Sequence, residues 1–252
     1  MENQDYRTLF TCIDNTTLSP LDTQRSVRQF CENTLKMQDL SRGIAPVAAV
    51  CVYPNFVETA HKVLENSGIR VASVAGAFPS GQSPLPLRLK EAEYAIESGA
   101  DEIDMVISRG AFLEGDYEAV AAEITAFRRV CKEKKLKVIL ETGELLSPVH
   151  IARASEIAME SGADFIKTST GKIAVGATLE AAEIMLQNVK KFYLKSGKIV
   201  GFKAAGGIST PAQALEYMHL AKKIMGNDYI NNQYFRIGAS RITGTLFSFL
   251  TE

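Results

Sequence analysis

The sequence predicts an α/β fold in which eight parallel strands close into a single (β/α)₈ TIM barrel. Eight short runs of apolar and β-branched residues alternate with longer amphipathic stretches, and they recur at intervals of roughly 25–35 residues. The length of 252 residues is ordinary for one such barrel. The dinucleotide-binding pattern G-x-G-x-x-G is missing after the first run, which disfavours the alternative of a doubly wound open sheet.

The eight apolar runs are the predicted strands. They cover residues 11–14, 47–53, 70–77, 102–107, 136–140, 164–168, 199–204 and 234–239. Strands this apolar, when helices alternate with them, are typical of a parallel sheet that is covered by helices. Because no linker interrupts the pattern, we expect residues 1–252 to form one domain.

Helix-start signals follow several of these strands. Ser147-Pro148 is a predicted N-cap followed by the first helical residue, and Gly162 closes that helix. Thr210-Pro211-Ala212-Gln213 combines a capping box with proline at the first helical position. Tyr53-Pro54 ends a strand and opens a helix in the same way.

The composition disfavours several classes of protein. The chain carries 28 Lys and Arg against 29 Asp and Glu, so it has no basic excess for a nucleic-acid surface or a polybasic membrane patch. No apolar stretch is long enough to span a bilayer, and the start Met1-Glu2-Asn3-Gln4-Asp5 does not resemble a secretory signal. We therefore expect a cytoplasmic protein without a nucleic-acid or membrane partner.

Cysteine and histidine positions give no sign of a disulfide framework or a metal site. The four cysteines are Cys12, Cys31, Cys51 and Cys131, and the three histidines are His61, His150 and His219. The cysteines form no CxxC pair, which fits a reducing compartment, and Cys51 is expected to be a core residue. The histidines lack metal-ligand spacing, so we expect no metal and no other cofactor.

One short internal similarity helps to orient the predicted strands. The segment SGADEID, which ends at Asp104, resembles the segment SGADFIK, which ends at Lys167. Shared helix-to-strand turn chemistry explains the similarity as well as a true repeat does. In either case, alternation along a strand points Ile103 and Ile166 outward toward helices, and it points Asp104 and Lys167 into the barrel.

Two lysines interrupt apolar strands that are predicted neighbours. Lys167 lies in the run FIKT and Lys203 lies in the run VGFKA. Neighbouring strands are about 4.8 Å apart, so two inward amines near the same end of the barrel are close together. Two charges about 6 Å apart repel by roughly 3 kcal/mol at an effective dielectric constant of about 20.

That repulsion corresponds to a pKa lower by about 2, and burial adds to it, so the pKa of one lysine is expected to fall from about 10.4 toward about 7–8. A neutral lysine amine is a nucleophile. Asp104 points into the same volume, where it can hold the second lysine charged and take part in proton transfer. The alternative is a buried Lys–Asp–Lys network that is purely structural, but charges at carboxyl ends of barrel strands favour catalysis.

Small residues follow the last two predicted strands, where barrels of this class commonly bind phosphate. The segments are Ala205-Gly206-Gly207 and Gly238-Ala239-Ser240, whose backbone N–H groups can approach an anion. Thr170-Gly171-Lys172 can add a hydroxyl and a cation. Asp14, at the end of the first predicted strand, and Thr17, just after it, are expected at the pocket rim, although an ordinary turn and helix cap explain them equally well.

Five segments of the chain resemble the deoxyribose-phosphate aldolase family. They are residues 99–106, 140–145, 163–172, 200–207 and 235–240, and the likeness extends from Asp14 to Ser240. The resemblance implies a reversible cleavage of 2-deoxy-D-ribose 5-phosphate into D-glyceraldehyde 3-phosphate and acetaldehyde, in deoxynucleoside breakdown. It also implies a homodimer whose ligands are sugar phosphates and aldehydes.

By the same resemblance, Lys167 forms a Schiff base with the substrate and Lys203 perturbs its pKa. Asp104 works with Lys203 in proton transfer, with ordered water as a relay. Gly206, Gly207 and Ser240 fall where the family binds the substrate phosphate.

Three positions depart from the family pattern. Arg241 replaces a small residue beside the phosphate loop, and Asn15 differs from the residue that relatives often carry at the pocket rim. Some relatives have a C-terminal tail that ends in tyrosine. Here the sequence ends Leu250-Thr251-Glu252, so we expect that role to be unfilled or taken by water.

The sequence leaves three alternative functions open. They are a class I aldolase or transaldolase for a larger sugar phosphate, a metal-dependent aldolase, which the scattered histidines disfavour, and a non-catalytic barrel that binds sugar phosphates as a regulator or scaffold.

Overall fold

The computed structural model of the chain describes residues 2–40 and 43–251. Its eight strands pair in parallel and in chain order, and the eighth strand pairs with the first. They are β1 Ile13–Thr16, β2 Ala49–Val52, β3 Arg70–Ala75, β4 Glu102–Val106, β5 Lys135–Ile139, β6 Phe165–Lys167, β7 Gly201–Ala205 and β8 Phe235–Ala239. The closed barrel confirms the predicted (β/α)₈ fold and excludes the alternative of a doubly wound open sheet.

Helices connect the strands and cover the outside of the barrel. They are α1 Glu2–Thr11, α2 Gln24–Leu40, α3 Val57–Leu64, α4 Leu85–Glu97, α5 Arg109–Leu113, α6 Tyr117–Cys131, α7 Pro148–Glu160, α8 Leu179–Ser196, α9 Pro211–Met225 and α10 Ile242–Thr251, with single 3₁₀ turns at Pro54–Phe56, Thr142–Glu144 and Asn227–Tyr229. Within the described parts of the chain, none of these helices has the length and apolarity needed to cross a membrane.

The predicted helix starts are confirmed by their hydrogen bonds. The Ser147 side chain accepts a hydrogen bond from the backbone N–H of His150 at the start of α7. At the start of α9, Thr210 and Gln213 form the reciprocal bonds of a capping box. Pro54 opens a 3₁₀ turn that leads into α3.

The start of the chain differs from its prediction. Residues 11–14 were expected to be the first strand, but Thr11 ends α1 and β1 begins at Ile13. Sequence patterns do not predict α1, whose burial depends on a distant helix: the Tyr6 ring stacks on that of Phe249 in α10, with ring centroids 6.0 Å apart. Tertiary packing therefore stabilises a helix that local periodicity leaves weak.

Strand alternation divides the barrel wall as predicted. Ile103, Met105 and Ile166 belong to the large apolar core between strands and helices. On the inner face, Cys51 packs in a smaller apolar group with Val74, which lines the β2–β3 side of the barrel. Burial raises the pKa of the Cys51 thiol to about 11, as expected of a core cysteine.

The strand register determines which inward side chains are neighbours. Lys167 on β6 is directly paired with Lys203 on β7, and Lys203 is paired with Arg236 on β8. On the other side of β6, Asp104 on β4 is paired with Lys137 on β5. Charged side chains from β4 to β8 are thus directed into one half of the interior.

Candidate active site

The two predicted lysines meet at one carboxylate oxygen. The amines of Lys167 and Lys203 each lie 2.8 Å from Oδ2 of Asp104. The two nitrogens are therefore separated by no more than twice that distance. All three side chains are almost fully buried, with 3% of Lys167 exposed and none of Asp104 or Lys203.

Four further charged groups complete this buried cluster. The Lys137 amine lies 2.7 Å from Oδ1 of Asp104 and 2.6 Å from Oε2 of Glu102. Nη2 of Arg236 lies 2.9 Å from Oε1 of Glu102. The Arg236 guanidinium also lies over the Phe165 ring, 5.5 Å from its centroid. Asp14 joins the cluster from β1.

Asp14 does not lie at the pocket rim where the sequence analysis expected it. Its carboxylate is fully buried, where it accepts hydrogen bonds from the Lys203 amine and from Nη1 of Arg236. The Lys137 amine lies 3.5 Å from Oδ2 of Asp14. The correction follows from the strand bounds, because Asp14 is the second residue of β1, which runs from Ile13 to Thr16, and does not stand at the carboxyl end of the strand.

The cluster holds more basic groups than acidic ones. Its three carboxylates are Asp14, Glu102 and Asp104, and its four buried basic groups are Lys137, Lys167, Lys203 and Arg236, while the partly exposed Arg70 contacts Glu102 from the edge at 3.3 Å. Among these four described groups, Lys167 alone contacts a single carboxylate, which it shares with two other amines. A buried cation without its own counter-charge is costly, so the proton of Lys167 is the one most easily lost.

The pKa directions follow this arrangement. Burial lowers the pKa of Lys167 below 10.5, the nearby charge of Lys203 lowers it further, and Asp104 offsets only part of this. Burial also disfavours the charged form of Lys203, but attraction to Asp104 and Asp14 outweighs it and raises the pKa. The pKa of Lys137 is raised for the same reason, by its three carboxylate neighbours.

Asp104 is held as a carboxylate despite its burial. Burial alone would raise its pKa, but attraction to Lys137, Lys167 and Lys203 keeps the pKa well below 3.8. The site therefore contains a buried amine whose pKa is lowered, beside a carboxylate whose pKa is lowered and an amine whose pKa is raised. An arrangement of this kind can activate a lysine as a nucleophile.

A cavity of about 490 Å³ opens at the carboxyl ends of β1, β6, β7 and β8. Lys167 contributes to its lining from within the barrel. The other lining residues are Thr16, Thr17, Leu18, Ser19, Phe30, Thr170, Gly171, Lys172, Ala205, Gly206, Gly207, Ile208, Gly238, Ala239 and Ser240. The structure thus brings Thr17, Thr170, Lys172 and the four predicted residues after β7 and β8 into one pocket with Lys167.

Two of the glycines are required by close packing. A side chain on Gly206, which has φ of 92°, would lie 3.2 Å from the backbone of both Gly171 and Gly176. A side chain on Gly238 would lie 3.1 Å from Cε of Lys203. Gly206 therefore lets two loops approach beside the cavity, and Gly238 leaves room for the second lysine.

The residues that depart from the family pattern lie outside the lining. Arg241 is exposed and is not among the residues that line the cavity. Asn15 is buried and connects Thr34 of α2 to Thr243 of α10 through hydrogen bonds of 2.9 Å each. The chain end at Glu252, where a tyrosine was considered, lies outside the described residues.

Sequence reasoning missed three members of the cluster, Glu102, Lys137 and Arg236. Each interrupts a buried strand, the signal that identified Lys167 and Lys203. Among the described residues, no group of three or more His, Cys, Asp or Glu side chains is arranged to hold a metal ion.

A parallel eight-stranded barrel with a cavity at the carboxyl ends of its strands, into which a buried lysine of lowered pKa opens, is typical of the class of (β/α)₈-barrel enzymes. Residues 10–240 match the sequence model of a family described as "DeoC/LacD family aldolase". Deoxyribose-phosphate aldolase of Mus musculus is 46% identical over 242 residues, which cover 92% of this chain and 76% of the mouse protein. This chain therefore belongs to the DeoC/LacD family of aldolases, which are lyases.

Solved structures agree with this assignment. A putative deoxyribose-phosphate aldolase from Coccidioides immitis is 28% identical with a TM-score of 0.81, and the match covers 95% of this chain and 86% of that one. The structure described as a unique tetrameric deoxyribose-phosphate aldolase from Aeropyrum pernix is 27% identical with a TM-score of 0.77, covering 98% and 96% of the two chains.

Proposed function

We propose that this chain is a class I aldolase that reversibly cleaves 2-deoxy-D-ribose 5-phosphate to D-glyceraldehyde 3-phosphate and acetaldehyde, in deoxynucleoside catabolism. Lys167 is the Schiff-base lysine, Lys203 perturbs its pKa, and Asp104 acts with Lys203 in proton transfer. The observation that carries this proposal is the shared contact of both amines with Asp104, which leaves Lys167 without a counter-charge of its own. No metal or organic cofactor takes part.

The reaction begins with the neutral amine of Lys167. Its lone pair adds to the aldehyde carbon of the open-chain sugar to give a carbinolamine, whose hydroxyl then takes up a proton and leaves as water, which gives an iminium ion. The iminium nitrogen carries the positive charge that Lys167 lacked, and Asp104 is placed to stabilise it. The cluster thus favours a neutral amine before attack and still tolerates a cation afterwards.

Carbon–carbon cleavage follows from the iminium. The bond between C2 and C3 breaks, its electron pair forms the enamine, and the C3 hydroxyl loses its proton as D-glyceraldehyde 3-phosphate leaves. Protonation of the enamine at C2 and hydrolysis of the resulting iminium then release acetaldehyde and regenerate Lys167. We assign the proton transfers to Lys203 and Asp104, which share a hydrogen bond of 2.8 Å, with water as the relay.

The outer part of the cavity suits a phosphorylated substrate. Gly206 and Gly207 follow β7, Gly238 lies near the carboxyl end of β8 and Ser240 follows β8, where backbone N–H groups and the start of α10 favour an anion. The Lys172 amine donates a hydrogen bond to the neutral carbonyl of Leu18, so its charge is available to the phosphate. We place the phosphate at this end and the aldehyde at Lys167.

An activity assay distinguishes this proposal from its alternatives. We expect the purified chain to release acetaldehyde from 2-deoxyribose 5-phosphate, with full activity in EDTA, as coupled alcohol dehydrogenase can measure. Turnover only with larger sugar phosphates would indicate another class I aldolase or a transaldolase, and loss of activity in EDTA would indicate a metal-dependent aldolase. Ligand binding without turnover would indicate a regulatory barrel and would contradict the proposal.

We further propose that residues 1–252 act as one catalytic domain, as a homodimer in the cytoplasm. The family resemblance supports the dimer, and the four free, buried cysteines are compatible with a reducing compartment. Light scattering coupled to gel filtration tests the dimer: a mass of about twice the 27.5 kDa chain is expected, and any other mass would contradict it.

A further inference from the structure

Glu141 is a buried carboxylate that lies behind one wall of the cavity and has no part in the mechanism above. Three donors converge on it. Oε1 accepts a hydrogen bond from the backbone N–H of Thr170 at 3.1 Å, and Oε2 accepts from the Thr170 hydroxyl at 2.5 Å and from Nη1 of Arg109 at 3.2 Å. Because every partner donates, an amide side chain cannot replace the carboxylate without losing a bond.

The backbone of Glu141 is itself strained to make these contacts. Its φ of 57° lies in the left-handed region, which a residue with a long side chain rarely adopts. Arg109 also binds Glu144 and the carbonyl of Ser80. Glu141 is thus held at a point where the loops after β3, β4, β5 and β6 meet, and strain of this kind is concentrated at functional sites.

The contact with Glu141 determines what Thr170 can offer to a ligand. The proton of the Thr170 hydroxyl is used in the bond to Glu141, and its oxygen also accepts a hydrogen bond from the backbone N–H of Lys172 at 3.1 Å. Any further bond made by this oxygen must therefore be as an acceptor. A phosphate oxygen needs donors, whereas a substrate hydroxyl can donate to such an oxygen.

Thr17, which follows β1 and also lines the cavity, has the same polarity. Its hydroxyl donates to Oδ2 of Asp22 at 2.8 Å, so it too presents an acceptor. Both threonines line the cavity with Lys167 and Lys172. The cavity is therefore divided between acceptor hydroxyls at these two threonines and the cationic and glycine-rich segments already assigned to the phosphate.

We propose that Glu141 is a positioning residue that fixes Thr170 as a hydrogen-bond acceptor for a hydroxyl group of the substrate. This inference rests on the proposed function, and it moves Thr170 from the phosphate subsite to a hydroxyl subsite. The hydroxyl concerned is that of the aldehyde product, D-glyceraldehyde 3-phosphate, at C2. Thr170 contacts the substrate, and Glu141 acts through Thr170.

Two acceptor aldehydes that differ only in this hydroxyl test the proposal. We compare kcat/KM for condensation of acetaldehyde with D-glyceraldehyde 3-phosphate and with 3-oxopropyl phosphate, which keeps the aldehyde and the phosphate but lacks the hydroxyl. The wild-type enzyme is expected to prefer the hydroxylated aldehyde by at least about tenfold, since a missing donor leaves the acceptor unpaired. Glu141→Gln and Thr170→Val are expected to reduce this ratio to about one, and Thr170→Ser to retain it.

The matched control is Glu123→Gln. Glu123 is also a buried carboxylate paired with an arginine, Arg88 at 2.7 Å, but its hydrogen-bond partners Arg88 and Ser108 do not line the cavity, whereas Glu141 bonds Thr170, which does. Its substitution should lower stability and leave the ratio unchanged. If Glu141→Gln fails to fold, Glu141→Gly supplies the same comparison, because glycine suits the left-handed backbone and removes the carboxylate.

Labelling with acetaldehyde and borohydride separates this inference from the proposed function, because acetaldehyde carries neither hydroxyl nor phosphate. Normal labelling of Lys167 in Glu141→Gln supports the inference if the ratio of kcat/KM for the two aldehydes is reduced. Normal labelling with the wild-type ratio overturns it. A ratio near one in the wild-type enzyme, or an equal reduction of the ratio in Glu123→Gln, also overturns it. If wild-type Lys167 is not labelled, the proposed function itself is refuted, and this inference with it.

Discussion

Lys167 and Lys203 are directly paired in the register of β6 and β7, and their amines contact the same oxygen of Asp104 at 2.8 Å. The two lysines nevertheless differ in pKa direction, because Lys203 also contacts Asp14 and Lys167 has no second carboxylate. The same carboxylate thus faces one amine whose pKa is raised and one whose pKa is lowered, and we propose the second as the nucleophile.

Removal of Lys203 should raise the pKa of Lys167. In Lys203→Leu the cluster has three carboxylates and three basic groups, so a protonated Lys167 is balanced by Asp104. The midpoint of a plot of labelling rate against pH, from about pH 5 to about pH 10, should therefore move upward, with slower reaction at neutral pH. Lys135→Leu, on β5 outside the cluster, is the control, and an unchanged midpoint in Lys203→Leu would contradict the assigned role of Lys203.

Removal of Asp104 should have the opposite effect on Lys167. Asp104→Asn removes the attraction that offsets burial, so the pKa of Lys167 should fall further and labelling by acetaldehyde should extend to lower pH. Turnover should still fall by about 100-fold or more, since proton transfer is impaired. Parallel measurements of labelling and turnover check this, and turnover that is unaffected would exclude Asp104 from proton transfer.

Lys167 should reduce stability at neutral pH. The pKa of Lys167 in the folded protein lies below the 10.5 of the unfolded chain. Burying the charged amine therefore lowers the free energy of unfolding fully at a pH below the folded pKa, and this loss of stability disappears at a pH above 10.5. Lys167→Met should therefore raise Tm at pH 7, by about 2–4 °C for each kcal/mol gained, and the gain should shrink as pH rises. Calorimetry at several pH values measures this.

Lys137→Met is the matched comparison for stability and should behave in the opposite way. The pKa of Lys137 is raised, so this residue contributes stability that is present below pH 10.5 and lost as pH rises through the folded value. Its loss leaves three buried carboxylates with fewer partners and should cost about 3–5 kcal/mol. Equal effects of the two substitutions on Tm would contradict the charge imbalance described above.

Lys172 should determine the preference for phosphorylated sugar. In Lys172→Met, KM for 2-deoxyribose 5-phosphate should rise about tenfold or more, because a charge-assisted hydrogen bond is lost, whereas turnover of unphosphorylated 2-deoxyribose should not change. Lys198→Met, an exposed residue just before β7 and so at the other end of the barrel, is the control. A similar loss for both sugars would place the Lys172 charge away from the phosphate.

Much of the fold and the centre of the site could be predicted from local patterns. Two-residue alternation correctly directed Asp104 and Lys167 into the barrel, because closure gives every strand one inner face. The small residues after β7 and β8 were placed in the cavity because the carboxyl ends of parallel strands meet at one rim.

The remaining differences depend on contacts between distant parts of the chain. Asp14 was expected at the rim, because the length of β1 depends on where α1 ends, and α1 is held by packing against α10. Glu102 and Arg236 were missed, although each interrupts an apolar strand. Their importance lies in a pairing across the barrel, and only the register of the closed sheet brings β4 and β8 side chains together.

The most direct test of the account is to identify the residue that is labelled, and the pH at which it reacts. After treatment with acetaldehyde and borohydride, peptide mass spectrometry should find the reduced adduct on Lys167, with a rate that rises with pH to a midpoint below 10.5. An adduct on another lysine, or a midpoint at the ordinary lysine value, would contradict a site built to keep Lys167 neutral.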